Sequence, residues 1–80
     1  MLITIKYFGM LVEDTKTTEE ILNFDTKSIT IKELKKFICK RYRGLESKTY
    51  NIAINQKIAG YNDLITDGNE LALLPPFAGG

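Results

Sequence analysis

The residues best placed to do chemistry are the last ones, Pro75-Pro76-Phe77-Ala78-Gly79-Gly80. Glycine has no side chain, so a carboxylate carried on Gly80 behind Gly79 could enter a narrow channel and approach a nucleotide or a catalytic group closely. A carboxylate is a poor electrophile until it is activated, for example as an acyl-adenylate. Pro75 and Pro76 fix φ and stiffen the exit from whatever element precedes them. A small, frayed end is the bland alternative. The two prolines, Phe77 and the patterned chain ahead of them favour the chemical reading.

Side chains offer little else. The 80 residues allow one domain and one core, with 44% hydrophobic residues and a net charge of +1. That balance argues against a disordered tail or a protein that coats nucleic acid. There is no histidine, which removes the commonest general base and metal ligand. One cysteine, Cys39, excludes an internal disulfide, a CxxC pair and a Cys-ligated zinc or iron–sulfur site, so no metal site is expected. Cys39 itself reads as a small hydrophobe, with no histidine to activate it. The basic cluster Lys32, Lys35, Lys36, Lys40, Arg41 and Arg43 reads as a solvated helix face. Asp63, Asp67 and Glu70 are the acids of residues 58–80, which hold no base, and they read as turn chemistry. With no long apolar run and no signal peptide, the expected compartment is the cytoplasm, with neither membrane nor nucleic acid as a partner.

The elements that must carry the tail can be read from periodicity. Ile3, Ile5 and Tyr7 alternate with Thr4, Lys6 and Phe8, which predicts a first strand with its core side at the isoleucines. A polar connection over 10–17 leads to a second strand over 18–24, and the two form an antiparallel hairpin. Thr30-Ile31-Lys32-Glu33 is a capping box, flanked by Ile29 and Leu34 as a hydrophobic staple. Ile31, Leu34, Phe37, Ile38, Arg41 and Tyr42 continue at helical spacing, and Gly44 is expected to end the helix as its C′ residue. A strand over 50–54, a turn at 55–57 and a short return at 58–59 follow. Asp67-Gly68 marks a tight turn into the last strand, 70–74, which Pro75-Pro76 ends. The order is that of an α+β, β-grasp fold: a mixed sheet of four or five strands, one main helix, and the first and last strands side by side at the centre. The domain spans residues 1–75, and 76–80 form a flexible tail. The strand phases place Phe8 and Leu74 together on the sheet face away from the helix, where contiguous apolar groups mark an interface.

Leu73-Leu74-Pro75-Pro76-Phe77-Ala78-Gly79-Gly80 resembles the C-terminus of the MoaD family, the small subunit of molybdopterin synthase. The likeness extends through Leu64-Ile65-Thr66-Asp67-Gly68-Asn69-Glu70-Leu71, Asn55-Gln56, Tyr7-Phe8-Gly9 and Thr30-Ile31-Lys32-Glu33-Leu34, and so covers nearly the whole chain. One departure is Val12-Glu13, where the family often has Arg-Glu, so no contact of that arginine carries over.

The resemblance implies a sulfur carrier and not a catalyst in its own right. A ubiquitin-activating-like enzyme would adenylate Gly80 with ATP and Mg²⁺, and a sulfur donor protein would then lead to a C-terminal thiocarboxylate. Phe77, Ala78 and Gly79 would thread into the large synthase subunit, which supplies the catalytic groups, and the sulfur would pass to a pterin precursor of the molybdenum cofactor. Phe8, Leu74, Ile58, Pro75 and Pro76 would contact that subunit, and no cofactor would be bound by the chain itself. Two alternatives stay open: a sulfur carrier for thiamine, cysteine or tRNA thiolation, and a ubiquitin-like modifier whose Gly80 joins a lysine through an isopeptide bond.

Overall fold

The computed structural model describes residues 1–76. Phe77, Ala78, Gly79 and Gly80 lie outside the described residues. The strands are β1 (Leu2–Tyr7), β2 (Glu19–Asn23), β3 (Ser28–Thr30), β4 (Asn51–Ile54), β5 (Lys57–Ile58), β6 (Leu64–Thr66) and β7 (Glu70–Leu74). The helices are a short α1 (Val12–Thr15) and the main α2 (Ile31–Arg41). A five-stranded sheet has the order β2-β1-β7-β4-β5, and β3 and β6 form a separate two-stranded ribbon. β1 pairs with β7 in parallel and with β2 antiparallel, so the first and last strands are central neighbours. This is the ubiquitin-like β-grasp fold that the element order predicts.

The core follows the strand phases. Ile3, Ile5 and Tyr7 of β1 and Leu71 and Leu73 of β7 are buried, and they meet Ile31, Leu34 and Ile38 of α2. Each such aliphatic side chain contributes about 1.5–3 kcal/mol by leaving water, which is why two central strands and one helix stripe suffice to define the layer. α2 begins as the sequence predicts. The Thr30 hydroxyl accepts from the Glu33 N–H at 3.1 Å, and the Thr30 N–H donates to the Glu33 carboxylate at 3.0 Å. Ile29 and Leu34 on either side of the cap both enter the core.

Three local features differ from the sequence reading. Gly44 is not a left-handed C′ residue. α2 ends at Arg41, the next residue Tyr42 turns to extended backbone (φ −128°), and Gly44 lies in a 3₁₀ segment, Arg43–Ser47. Its smallness is still needed, because a Cβ there would strike the Asp14 carboxylate, which in turn pairs with Lys48. The connection over 10–17 is not a plain polar loop: a 3₁₀ turn, Gly9–Leu11, runs into α1 and buries Leu11. The β3–β6 ribbon was not visible in the pattern, because each of its strands has only three residues, too short for alternation to register.

Candidate tail exit and docking surface

β7 delivers the chain to Pro75 beside the end of β1. The Phe8 N–H donates to the Leu73 carbonyl at 3.1 Å, which continues the parallel ladder one step past β1. Gly9 then takes φ +59°, a left-handed conformation that glycine enters without steric cost. A Cβ on Gly9 would come 2.8 Å from Pro75 Cγ, so the proline ring lies directly over the glycine. Pro75 is half-buried and Pro76 exposed. The backbone leaving the sheet is therefore aimed by two restrictions: a ring that sets φ and a neighbour with no side chain to displace it.

Phe8 is turned outward because Tyr7 is held inward. The Tyr7 ring is 2% exposed, and its hydroxyl donates to Glu20 at 2.8 Å. Tyr42 donates to the same carboxylate at 2.7 Å, and Arg41 Nε donates to it at 3.1 Å. The two tyrosine rings meet edge to face with centroids 5.8 Å apart. Burial by itself would raise the Glu20 carboxyl. The hydrogen bonds from Tyr42, Tyr7 and Arg41, with the guanidinium charge, outweigh it and hold the group below its ordinary value. Burial and the Glu20 carboxylate push the Tyr7 hydroxyl far above the usual tyrosine range. Glu20 is thus an ionised anchor tying β2, β1 and the end of α2 together, and the alternation of β1 then leaves Phe8 on the opposite face.

The open face of the sheet carries the groups the sequence placed there. Tyr7 is level with Leu73, so Phe8 stands next to Leu74 on adjacent strands. Phe8 is 43% exposed and Leu74 is half-buried. One step along the strands, Ala72, Ala53 and Ile58 form a cross-strand row, with Ile58 55% exposed at the β5 edge. The row continues to Lys6, whose Nζ lies 3.4 Å from Glu70 and 4.0 Å from Glu19. Phe8 and Leu74 are brought together, while Ile58 lies on the same face two strands from Leu74. A groove of about 530 Å³ opens beside Phe8, Gly9 and Val12. Met10, 65% exposed beside the tail exit, was not picked out from sequence, because a lone Met in a connection carries no periodic signal. An apolar centre rimmed by paired charges is the anatomy of a protein interface.

Cys39 lies apart from this face, with Sγ 3.9 Å from the Tyr50 hydroxyl. Among the described residues no group of three His, Cys, Asp or Glu side chains is placed to hold a metal ion. Among them too, no helix is long and apolar enough to cross a membrane.

Three solved structures bear on the fold. Putative molybdopterin converting factor subunit 1 from Pyrococcus furiosus superposes with a TM-score of 0.86 at 20% identity, covering 95% of this chain and 98% of the other. SAMP1 from Haloferax volcanii superposes at 0.81 with 23% identity and full coverage of both chains. In the complex of subunits 1 and 2 of molybdopterin-converting factor from Helicobacter pylori, the matching chain gives 0.69 at 26% identity, again with full coverage of both. The first two likenesses carry the β-grasp architecture alone. The ThiS family matches residues 5–80, from the middle of β1 through Gly79 and Gly80. That match takes in nearly the whole β-grasp domain together with the two terminal glycines: the chain belongs to the ThiS family.

Proposed function

We propose that the protein is a sulfur carrier for molybdopterin synthesis, the small subunit of a two-subunit synthase. The observation that carries this reading is the ThiS-family match running to Gly80, on a chain whose last strand ends at a braced Pro75 beside an open apolar face. Further support comes from the 26% identity with a chain solved in the complex of subunits 1 and 2 of the Helicobacter pylori molybdopterin-converting factor, and from Pro75-Pro76 ahead of Gly79-Gly80.

In this reading a cytoplasmic adenylating enzyme uses ATP and Mg²⁺. The Gly80 carboxylate attacks the α-phosphorus, and pyrophosphate leaves. Sulfur supplied by a donor protein at the sulfide level then attacks the acyl carbon, AMP leaves, and Gly80 carries a thiocarboxylate. The large subunit docks on Phe8, Leu74, Ile58, Pro75 and Pro76 and receives Phe77 to Gly80 in its active site, where the sulfur passes to the pterin precursor. The chain contributes a docking surface and a reactive backbone terminus, and its partners contribute the catalytic groups. A second reading, conjugation of Gly80 to a lysine, would use the same Gly79-Gly80 terminus, and SAMP1, a small archaeal modifier protein, has the same fold.

Intact-mass measurement of the protein isolated from its own host separates the two. Exchange of one carboxylate oxygen for sulfur is expected of the carrier, and branched conjugates of the modifier. A carboxylate-only population in cells actively making molybdopterin, or an active form extended beyond Gly80, would remove the carrier reading. Between carrier pathways, the large subunit that co-purifies decides.

A further inference from the structure

The outer face of α2 plays no part in tail chemistry, and its charges oppose their own helix. Lys40 and Arg41 stand in the last turn, where the helix dipole favours cations. Lys32, Lys35 and Lys36 stand in the first half, where it does not. Lys32 and Lys36 are also four residues apart, as are Lys36 and Lys40, and like charges at that spacing repel. Four other cations are matched, Lys6 with Glu19 and Glu70, Arg41 with Glu20, Arg43 with Glu46, and Lys48 with Asp14, while Lys16, Lys27 and Lys57 stand singly on separate segments. Among the described residues Lys32, Lys35, Lys36 and Lys40 form no ion pair. The nearby Glu33 carboxylate is engaged by Thr30.

An aromatic ring stands beside these lysines. Tyr61 is 60% exposed, and its loop is pinned to the start of α2. The Lys32 N–H donates to the Tyr61 carbonyl at 3.1 Å, the Ile31 N–H to the Asp63 carbonyl at 3.0 Å, and the Gly60 N–H to the Asp63 carboxylate at 2.8 Å. Two of those bonds occupy N–H groups of the helix's own first turn, so any pull on an anion here comes from the side chains. Lys35 Nζ lies 4.8 Å from the Tyr61 ring centroid and 5.0 Å from that of Tyr50. A groove of about 530 Å³ is lined by Lys32, Lys35, Lys36, Tyr61 and Asn62. It shares Lys35 and Tyr61 with a smaller cleft of about 240 Å³ reaching Tyr50 and Ile52.

We propose that this groove binds a single-stranded nucleic acid, with phosphates along Lys32, Lys36 and Lys40 and a base stacked on Tyr61. The three lysines climb the helix in steps of about 6 Å, a spacing comparable to that of successive phosphates on an extended strand. Lysines alone would serve an acidic peptide equally well. The pre-positioned, exposed ring is what a base uses and a carboxylate does not. The juxtaposition of a cationic row with an exposed ring takes the proposal beyond the reading of this cluster as a solvated face. The site lies on the helix side of the sheet, so its occupation is independent of the docking face.

The test is a fluorescence-anisotropy titration of the full chain with a short labelled single-stranded oligoadenylate across a salt series. With three phosphates neutralised, log K should fall against log salt with a slope of about −2. The double variant Lys32→Gln, Lys36→Gln should flatten that slope by about 1.4. Tyr61→Ala should weaken binding about tenfold and leave the slope unchanged. Lys57→Gln, on the β5 edge, should change nothing. Three results would overturn the proposal: no binding at low salt, a Tyr61→Ala variant that binds as tightly as the parent, or polyglutamate that competes as well as unlabelled oligoadenylate. The last would make the face a site for an acidic protein instead.

Discussion

Pro75 lies over Gly9, with its Cγ 2.8 Å from where a Cβ on Gly9 would be. The contact joins the glycine two residues past β1 to the proline that directly follows β7. It makes the direction in which Pro75 leaves the sheet a property of the sheet's centre. Gly9→Ala should lose about 1–2 kcal/mol from the left-handed backbone, with a further steric part from the proline ring. Urea denaturation of Gly9→Ala and of Gly9→Ala, Pro75→Ala separates these: the double variant should recover the steric part only. Equal stability of Gly9→Ala and the parent would show that the ring yields freely.

Leu74 is half-buried on the open face beside Phe8. Leu74→Glu should change folding stability by no more than about 1 kcal/mol, while weakening capture of the large subunit about tenfold or more. Isothermal titration with that subunit, with circular dichroism for the fold, reads both. An unfolded variant, or an unchanged affinity, would remove Leu74 from the interface.

The turn between β4 and β5 is occupied by Asn55 and Gln56 at φ +47° and +74°. Both central residues of such a hairpin turn need positive φ, which favours Asn followed by Gly. Asn55 is also useful in place, since its side chain accepts from the Glu70 N–H at 2.9 Å. Gln56→Gly should therefore stabilise the protein by about 0.5–1 kcal/mol, visible as a higher thermal midpoint. A lower midpoint would mean that the Gln56 side chain makes a contact worth more than the strain.

Glu20 accepts from Tyr7, Tyr42 and Arg41, and its folded-state pKa lies below the ordinary 4.5. A depressed carboxyl stabilises the fold above its unfolded value, and that contribution is lost as pH falls below 4.5 toward the folded value. Glu20→Gln should cost about 1–3 kcal/mol near neutral pH, and the gap from the parent should narrow in acid. Urea midpoints above and below pH 4.5 check this. A gap that stays constant would mean that the charge on Glu20 is not what the tyrosines recognise. On the alkaline side, Tyr7 and Tyr50 are raised above the ordinary 10.0, chiefly by burial, so stability should fall as pH passes that value and the unfolded tyrosines ionise.

Gly44 leaves room for the Asp14 carboxylate, which pairs with Lys48. Gly44→Ala should destabilise by about 1–3 kcal/mol through overpacking. Adding Asp14→Ala should restore part of that loss, giving a favourable coupling in a double-mutant cycle. Additive losses would show that Gly44 is needed for its backbone and not for space.

Much of this architecture was legible in local chemistry. The Thr30–Glu33 box, the alternation of Ile3, Ile5 and Tyr7, and the Asp67-Gly68 turn each act within a few residues, and each formed where the pattern placed it. Phe8 and Leu74 could also be assigned to the open face, because strand parity alone decides which side a residue takes. The Gly44 assignment failed because a glycine near a helix end has two possible uses. Only the packing of α1 against the segment after α2 shows that the space, not the φ angle, is needed.

By itself the sequence determined the order of β1, β2, α2, β4, β5 and β7, the core-facing phases, and the Pro75-Pro76 exit ahead of Gly79-Gly80, all of which depend on neighbouring residues. The tertiary structure alone decided that Pro75 rests on Gly9, that Tyr7, Tyr42 and Arg41 converge on Glu20, and that Tyr61 stands beside unmatched lysines. The physical reason is separation along the chain. These partners lie roughly a dozen to more than sixty residues apart, and short-range periodicity carries no information about which distant side chains a closed sheet and its helix bring within contact.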